Sequence, residues 1–354
     1  MKVLTLVSSG MNRPDRQTVL NKEASDEYPR VSLYERALNS DMLDEKFLEK
    51  IPAWRKFLYK PFPVFIKQIF EAFCICHKYD IVVTWAERLC YPFALLLKIT
   101  GRRVPHITLN SWISHPKKAK ILKFTQSHID KILMWSSIQR NIAINQIGIP
   151  KTKIEFIRKF ADQQFFRPMD IPTDTICAVG SEMRDYPTLV EAMRGLDIHC
   201  HIATGMTRGK LFTTVKALYD IDNLPANITI GAKGYFDLRD LYARSRFVVV
   251  PILPTDTDNG LTCILESMAM GKAVICSRTQ GQVDIIQDGV TGIFVPPQDP
   301  QALREAILYL WNNPELAAQM GKAARKYLEV HHTLEQFIDR VKQIIEKVIK
   351  TKNN

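Results

Sequence analysis

Residues 247–252 form an unbroken apolar run, FVVVPI. Such a run suits a strand covered on both faces, as in a parallel sheet. A polar loop containing Gly260 follows, and residues 262–270 then read as an amphipathic helix that Gly271 stops. A second apolar run, residues 273–276, comes next. The unit is strand, loop, helix, strand, and it carries two acids, Asp258 in the loop and Glu266 one to two turns into the helix. Backbone N–H groups at the start of a helix favour an anion. If all eight steps between the acids were helical, they would lie roughly 12 Å apart. Two hydroxyl-binding carboxylates flanking an anion site suit a diphosphate with a sugar on each side, which describes a nucleotide sugar.

The same stretch resembles the retaining family-four glycosyltransferases. The resemblance rests on Asp258-x7-Glu266, then SMAMGKAVI, then Asp288-Gly289-x-Thr291-Gly292-x-x-Val295-Pro296. Upstream it includes Val179-Gly180-Ser181-Glu182-x-Arg184-Asp185-Tyr186. It implies an α/β chain of the GT-B fold, two Rossmann-like domains whose parallel sheets face a central cleft. It also implies a UDP- or GDP-sugar donor, transfer with retention of anomeric configuration, no cofactor and no metal. By the resemblance, Arg184, Asp258 and Glu266 are the catalytic candidates, with Arg184 on the diphosphate, Asp258 on the transferred sugar and Glu266 on the ribose. Gly10, Gly180, Lys210, Gly234, Tyr235, Gly260, Leu261 and Thr262 complete the donor-binding set, and Glu87, Asn110 and His115 are acceptor candidates.

Four positions depart from the family pattern. Asp258 stands where Glu is usual, and Ser181 where a second basic residue is common. Ser8-Ser9-Gly10 replaces a Gly-Gly pair, and Asn110-Ser111-Trp112 replaces a segment that often holds a His. Arg208 and Lys210 could stand in for the cation missing at Ser181. These departures leave a non-catalytic GT-B relative that binds a sugar nucleotide as the alternative. Asp256-Thr257-Asp258 spells a possible divalent-metal motif, but Asp256 is read as a solvated loop acid.

A chain of 354 residues exceeds one ordinary core, so two domains are expected. Residues 2–7, 80–85, 104–109, 131–135 and 153–157 read as strands, with helices at 91–100, 119–126 and after Ser136-Ser137. His106, inside a strand, reads as a core histidine. The pattern lapses between residues 160 and 175, which reads as a linker. Strands resume near 175–179, 199–203, 228–231, 247–252 and 273–276. The expected division is an acceptor-binding domain at 1–165, a nucleotide-sugar domain at 166–333, and a last helix at 334–354 that crosses back.

Residues 1–170 hold 28 Lys+Arg against 16 Asp+Glu, a balance of +12, while the remainder holds 20 against 21. The excess suggests an anionic partner for this half, namely phospholipid headgroups, a lipid-linked phosphate or a polyanionic glycan. A generally basic solvated surface is the competing reading. No nucleic-acid motif accompanies the charge. Residues 51–73 mix aromatics with Arg55, Lys56, Lys60 and Lys67. That pattern suits a helix lying on an anionic bilayer, or a core-packing helix split around Pro61 and Pro63, and the second reading is favoured. No apolar run reaches membrane-spanning length. The seven cysteines include no C-x-x-C pair and read as reduced thiols. Together with the basic first half, the resemblance implies a cytoplasmic enzyme of envelope-glycan or glycolipid synthesis, peripheral at the cytoplasmic membrane face.

Overall fold

Among the described residues (1–7, 14–204 and 213–353), the computed structural model holds two six-stranded sheets, both wholly parallel. The chain divides into two units. The first comprises Met1–Asn21, Val31–Arg158 and Glu335–Asn354; the second comprises Lys22–Arg30 and Lys159–Leu334.

The strands of the first unit are β1 (Val3–Leu6), β2 (Ser40–Leu43), β3 (Ile81–Trp85), β4 (His106–Leu109), β5 (Lys131–Met134) and β6 (Ile154–Phe156). Their order is β2-β1-β3-β4-β5-β6, with Val3 opposite Ile81 and Val82 opposite His106. β1 and β4 are buried at every position because helices cover the sheet. Leu4, Leu6, Leu43 and Val82 pack with Ile69 and Ala72 of the helix Val64–Ile75, and with Leu89, Phe93 and Leu97 of the helix Glu87–Ile99. His106 lies in this interior, its ring edge-on to Phe93, and burial holds its imidazole pKa down at about 4. Ser136 caps its helix through the Gln139 amide, as its hydroxyl suggests.

The second unit holds β7 (Thr175–Val179), β8 (Cys200–Ala203), β9 (Ile228–Ile230), β10 (Ser245–Val250), β11 (Ala273–Ser277) and β12 (Gly292–Val295). Their order is β12-β11-β10-β7-β8-β9. Strand order reverses between β7 and β10, because the chain first builds outward through β8 and β9, then returns to the other side of β7. Ligands of open parallel sheets bind beyond the carboxyl ends of strands at such a reversal. Here those ends lead into residues 180–185 and 251–260.

Three local differences from expectation have simple causes. The strand expected at 247–252 ends at Val250, since Pro251 has no N–H to donate; Ile252 instead pairs with Arg184 in an isolated bridge. β2 and β12 were not anticipated; both are edge strands, and β2 reads Ser-Asp-Met-Leu, too polar to stand out. The helix expected from residue 91 begins at Glu87 and carries Pro92 inside it. All seven cysteines are free, with Cys74 alone exposed.

Candidate functional site

The helix Leu261–Ala269 follows β10, and every position from Leu261 to Ala269 is buried except Thr262. Gly260 caps its start in the left-handed region, φ +93°. A side chain there would be strained, and a Cβ would come within 2.9 Å of Val250 Cγ1. The Leu261 amide donates back to the Asp258 carbonyl at 3.2 Å, which folds Asp258 over the helix start. On the other side of this loop, Gly281 packs so closely on the Thr257 backbone that no Cβ fits. Gln282 Nε2 also donates to the Asn259 carbonyl at 2.5 Å. Asp256 and Asp258 belong to no group of three His, Cys, Asp or Glu side chains placed to hold a metal among the described residues.

Lys159 reaches the same helix start. Its Nζ donates to Thr262 Oγ1 at 2.8 Å, which leaves the threonine hydroxyl hydrogen to donate elsewhere. Burial lowers the ammonium's pKa, and the charges of Asp258 and Glu266 work against that shift. His332 Nδ1 lies 2.7 Å from the Lys159 carbonyl, and the Ala161 amide donates to the His332 carbonyl at 3.1 Å. The backbone that follows the lysine is therefore tied to His332 at two points.

Glu266 is 8 % exposed and accepts from the Tyr242 hydroxyl at 3.0 Å. Burial pushes its carboxyl up to about 7, against the Tyr242 hydrogen bond and the Lys159 charge. It is thus an acid poised between its two forms near neutrality.

Arg184, the candidate for the diphosphate, is held inside the fold. Only 4 % exposed, it donates from Nε to the Val179 carbonyl (3.0 Å) and from its two terminal nitrogens to the Glu182 carbonyl (2.9 Å) and Cys263 Sγ (3.2 Å). Its guanidinium packs where a Cβ on Gly180 would stand, 2.9 Å from Cζ, and a Cβ on Gly260 would lie 3.5 Å from Nη1. Three of its five N–H directions are therefore spent inside the fold, binding the loop after β7 to the helix start. Its charge lies beneath that helix start. Ser181 pairs with the Thr204 hydroxyl at 2.9 Å.

Gly234 caps the helix Tyr235–Arg244, and Tyr235 stacks edge-on with Tyr28 at 4.7 Å between centroids. The same helix supplies Tyr242 to Glu266. Gly10, Arg208 and Lys210 lie outside the described residues.

The acceptor candidates belong to the first unit, and two of them are engaged inside it. Glu87 Oε1 accepts from the Ser111 and Trp112 amides, both at 2.8 Å. Gln139 Oε1 does the same for Ile113 and Ser114, at 2.8 and 3.0 Å. Four consecutive amides are thus held by two side chains, which makes Glu87 a loop clamp. Asn110 is wholly buried and accepts from the Thr108 hydroxyl at 2.8 Å. His115 stays exposed, capping the helix Pro116–Thr125 next to Trp112.

Lys159, Tyr242 and the Gly281-Gln282 brace were not foreseen. Lys159 had a faint signal, the basic pair Arg158-Lys159 just after the strand at 153–157. Tyr242 had none, because a tyrosine within a helix reads as packing.

Residues 176–327 match the family "Glycosyl transferases group 1". O-antigen chain mannosyltransferase C of Escherichia coli is 32% identical over 114 residues, 32% of this chain and 30% of that protein. The chain spans about a third of the length of the curated relatives it matches first. Among solved structures, sucrose-phosphate synthase from Thermosynechococcus elongatus aligns with a TM-score of 0.76 at 17% identity, over 99% of both chains. Anabaena HepE in complex with UDP-glucose aligns with a TM-score of 0.69 at 16% identity, over 99% of this chain and 100% of that one. Residues 176–327 therefore carry the pattern of the glycosyl transferases group 1, within a chain that has the GT-B fold of two Rossmann-like units along its length.

Proposed function

We propose that the protein is a retaining hexosyltransferase that moves a sugar from a UDP- or GDP-sugar to an acceptor held by its first unit. The acceptor is a glycan, a lipid-linked sugar or a small molecule, and His115 is the candidate contact left exposed there. The observation that carries this reading is the convergence of Lys159, Thr262, Asp258 and Glu266 on the start of one buried helix. A diphosphate suits that place, because the helix start favours negative charge and the Lys159 ammonium can neutralise an anion. Glu266 then accepts from the ribose hydroxyls, and Asp258 from those of the transferred sugar.

In the reaction the bond from the sugar's anomeric carbon to the diphosphate oxygen breaks, and the diphosphate keeps the electron pair. A new bond forms from that carbon to the acceptor oxygen, whose proton passes to the leaving diphosphate oxygen. Charge grows on the leaving diphosphate, so preorganised donors near it lower the barrier. Lys159 and Thr262 are the candidate donors, and the buried Arg184 adds field from beneath. The HepE complex with UDP-glucose and the mannosyltransferase likeness make a hexose the favoured cargo.

Thermal shift of the full chain with UDP, GDP, ADP and their sugars tests this. One uridine or guanosine series should stabilise the protein, and Glu266→Ala should abolish the shift. Slow hydrolysis of the matching donor without acceptor should accompany it. A chain that responds to none of them, or equally to all, is not such an enzyme.

A further inference from the structure

The helix Ala53–Tyr59 is turned inside out. Two of its residues, Arg55 and Tyr59, turn toward the rest of the first unit: Arg55 pairs with the buried Glu71 at 2.7 Å, and the largely buried Tyr59 donates to the same carboxylate at 3.3 Å. Its apolar residues face outward, with Trp54 61 % exposed, Phe57 76 % and Leu58 56 %. Phe62 in the turn that follows and Val64 at the start of the next helix add to it, 41 % and 39 % exposed. No other stretch of eleven described residues gathers five exposed large apolar side chains. The core role expected for residues 51–73 falls mainly to the second half, where the helix Val64–Ile75 buries Gln68, Ile69, Glu71, Ala72 and Ile75, while the first half buries Ile51 and Tyr59. Leaving a dense apolar cluster in water is unfavourable and marks an interaction surface. The Arg55–Glu71 pair fixes this outward presentation, since rolling the helix inward would strand a buried carboxylate.

Charge identifies the partner. Residues 50–70 contain Lys50, Arg55, Lys56, Lys60 and Lys67 and no Asp or Glu. Lys56 and Lys60 are exposed between the apolar side chains. Aromatic and aliphatic side chains flanked by lysines suit the headgroup layer of an anionic bilayer, where rings insert and ammonium groups meet phosphates. We propose that Trp54, Phe57, Leu58 and Phe62, with Lys56 and Lys60, dock the protein on an anionic phospholipid membrane. This inference is independent of the donor site.

Flotation of the full chain with phosphatidylcholine vesicles, with and without phosphatidylglycerol, tests it. Wild type should float with the anionic vesicles and not with the neutral ones. Trp54→Ser with Phe57→Ser should abolish flotation. Lys56→Ala with Lys60→Ala should weaken it about thirtyfold, from two lost lysine charges near the surface. All four positions face solvent, so melting temperature and nucleotide response should stay at wild-type values. Failure of the wild type to float, or equal flotation with both vesicles, overturns the proposal. So does a wild-type dimer that Trp54→Ser with Phe57→Ser dissolves without any lipid binding, because the surface then serves a second copy.

Discussion

Lys159 and Glu266 share one electrostatic neighbourhood but face opposite demands. Burial works against the Lys159 charge, and two nearby carboxylates support it. On the proposed reading Glu266 must lose its proton in a site where burial holds that proton up to about 7. On the proposed reading, Lys159→Ala removes a cation from the leaving diphosphate and should lower kcat by roughly 10²-fold, with a smaller change in donor KM. Lys159→Arg should restore part of the rate, which a purely structural lysine at Thr262 would not require. Steady-state kinetics with the donor found by thermal shift decides it. The Glu266 prediction concerns pH. Its folded pKa lies above its unfolded one, so the folded state holds the extra proton between about 4.5 and about 7. The Glu266 contribution to stability is therefore complete below about 4.5 and lost as pH rises through about 7. Glu266→Gln removes this slope, so the melting temperature of wild type relative to the variant should fall from pH 5 to pH 8. Donor affinity should move the other way, rising through the same window as the carboxylate forms and accepts ribose hydroxyls.

At the scale of elements, the start of the helix Leu261–Ala269 is shaped by a glycine and a buried arginine. Gly260 leaves no side chain over it, and Arg184 anchors it from below. Gly260→Ala should cost about 1–3 kcal/mol from the left-handed backbone alone, with more from the contact with Val250. Denaturant unfolding measures that cost, and donor binding should weaken with it. The strand–loop–helix–strand unit around this turn was legible in the sequence because apolar runs and glycine punctuation are local signals. The alternation through the first half was legible for the same reason. β2 escaped because an edge strand of polar residues has no apolar pattern. Tyr242 and Lys159 escaped because their partners, Glu266 and Thr262, lie 24 and 103 residues away. The outward face of Ala53–Tyr59 escaped because composition gives amphipathicity but not which side is covered. Arg184 was found by its motif, yet its burial depends on three acceptors that only the folded loop assembles.

At the scale of the whole molecule, the chain passes between its two units four times, at residues 21/22, 30/31, 158/159 and 334/335. Asp162 is a centre of the contacts that secure the short excursion Lys22–Arg30 on the second unit. Its carboxylate accepts from the Arg30 amide at 2.7 Å and from the Arg30 guanidinium at 2.6 and 3.0 Å, and also from the Gln164 amide at 3.1 Å. Asp26 adds pairs to Arg167 at 2.6 Å and Arg239 at 3.0 Å. The Asp162 side chain is only 4% exposed, so removing it leaves Arg30 without its buried counter-charge, a loss of about 3–5 kcal/mol for such pairs. Much of that loss can be avoided if residues 22–30 detach and Arg30 moves into water. Asp162→Ala should therefore open this segment locally before the sheet β7–β12 unfolds. Hydrogen exchange should show faster exchange across residues 22–30 and 159–166, with protection of β7, β10 and β11 unchanged. Uniformly faster exchange through all three strands would mean instead that Asp162 holds the second unit as a whole.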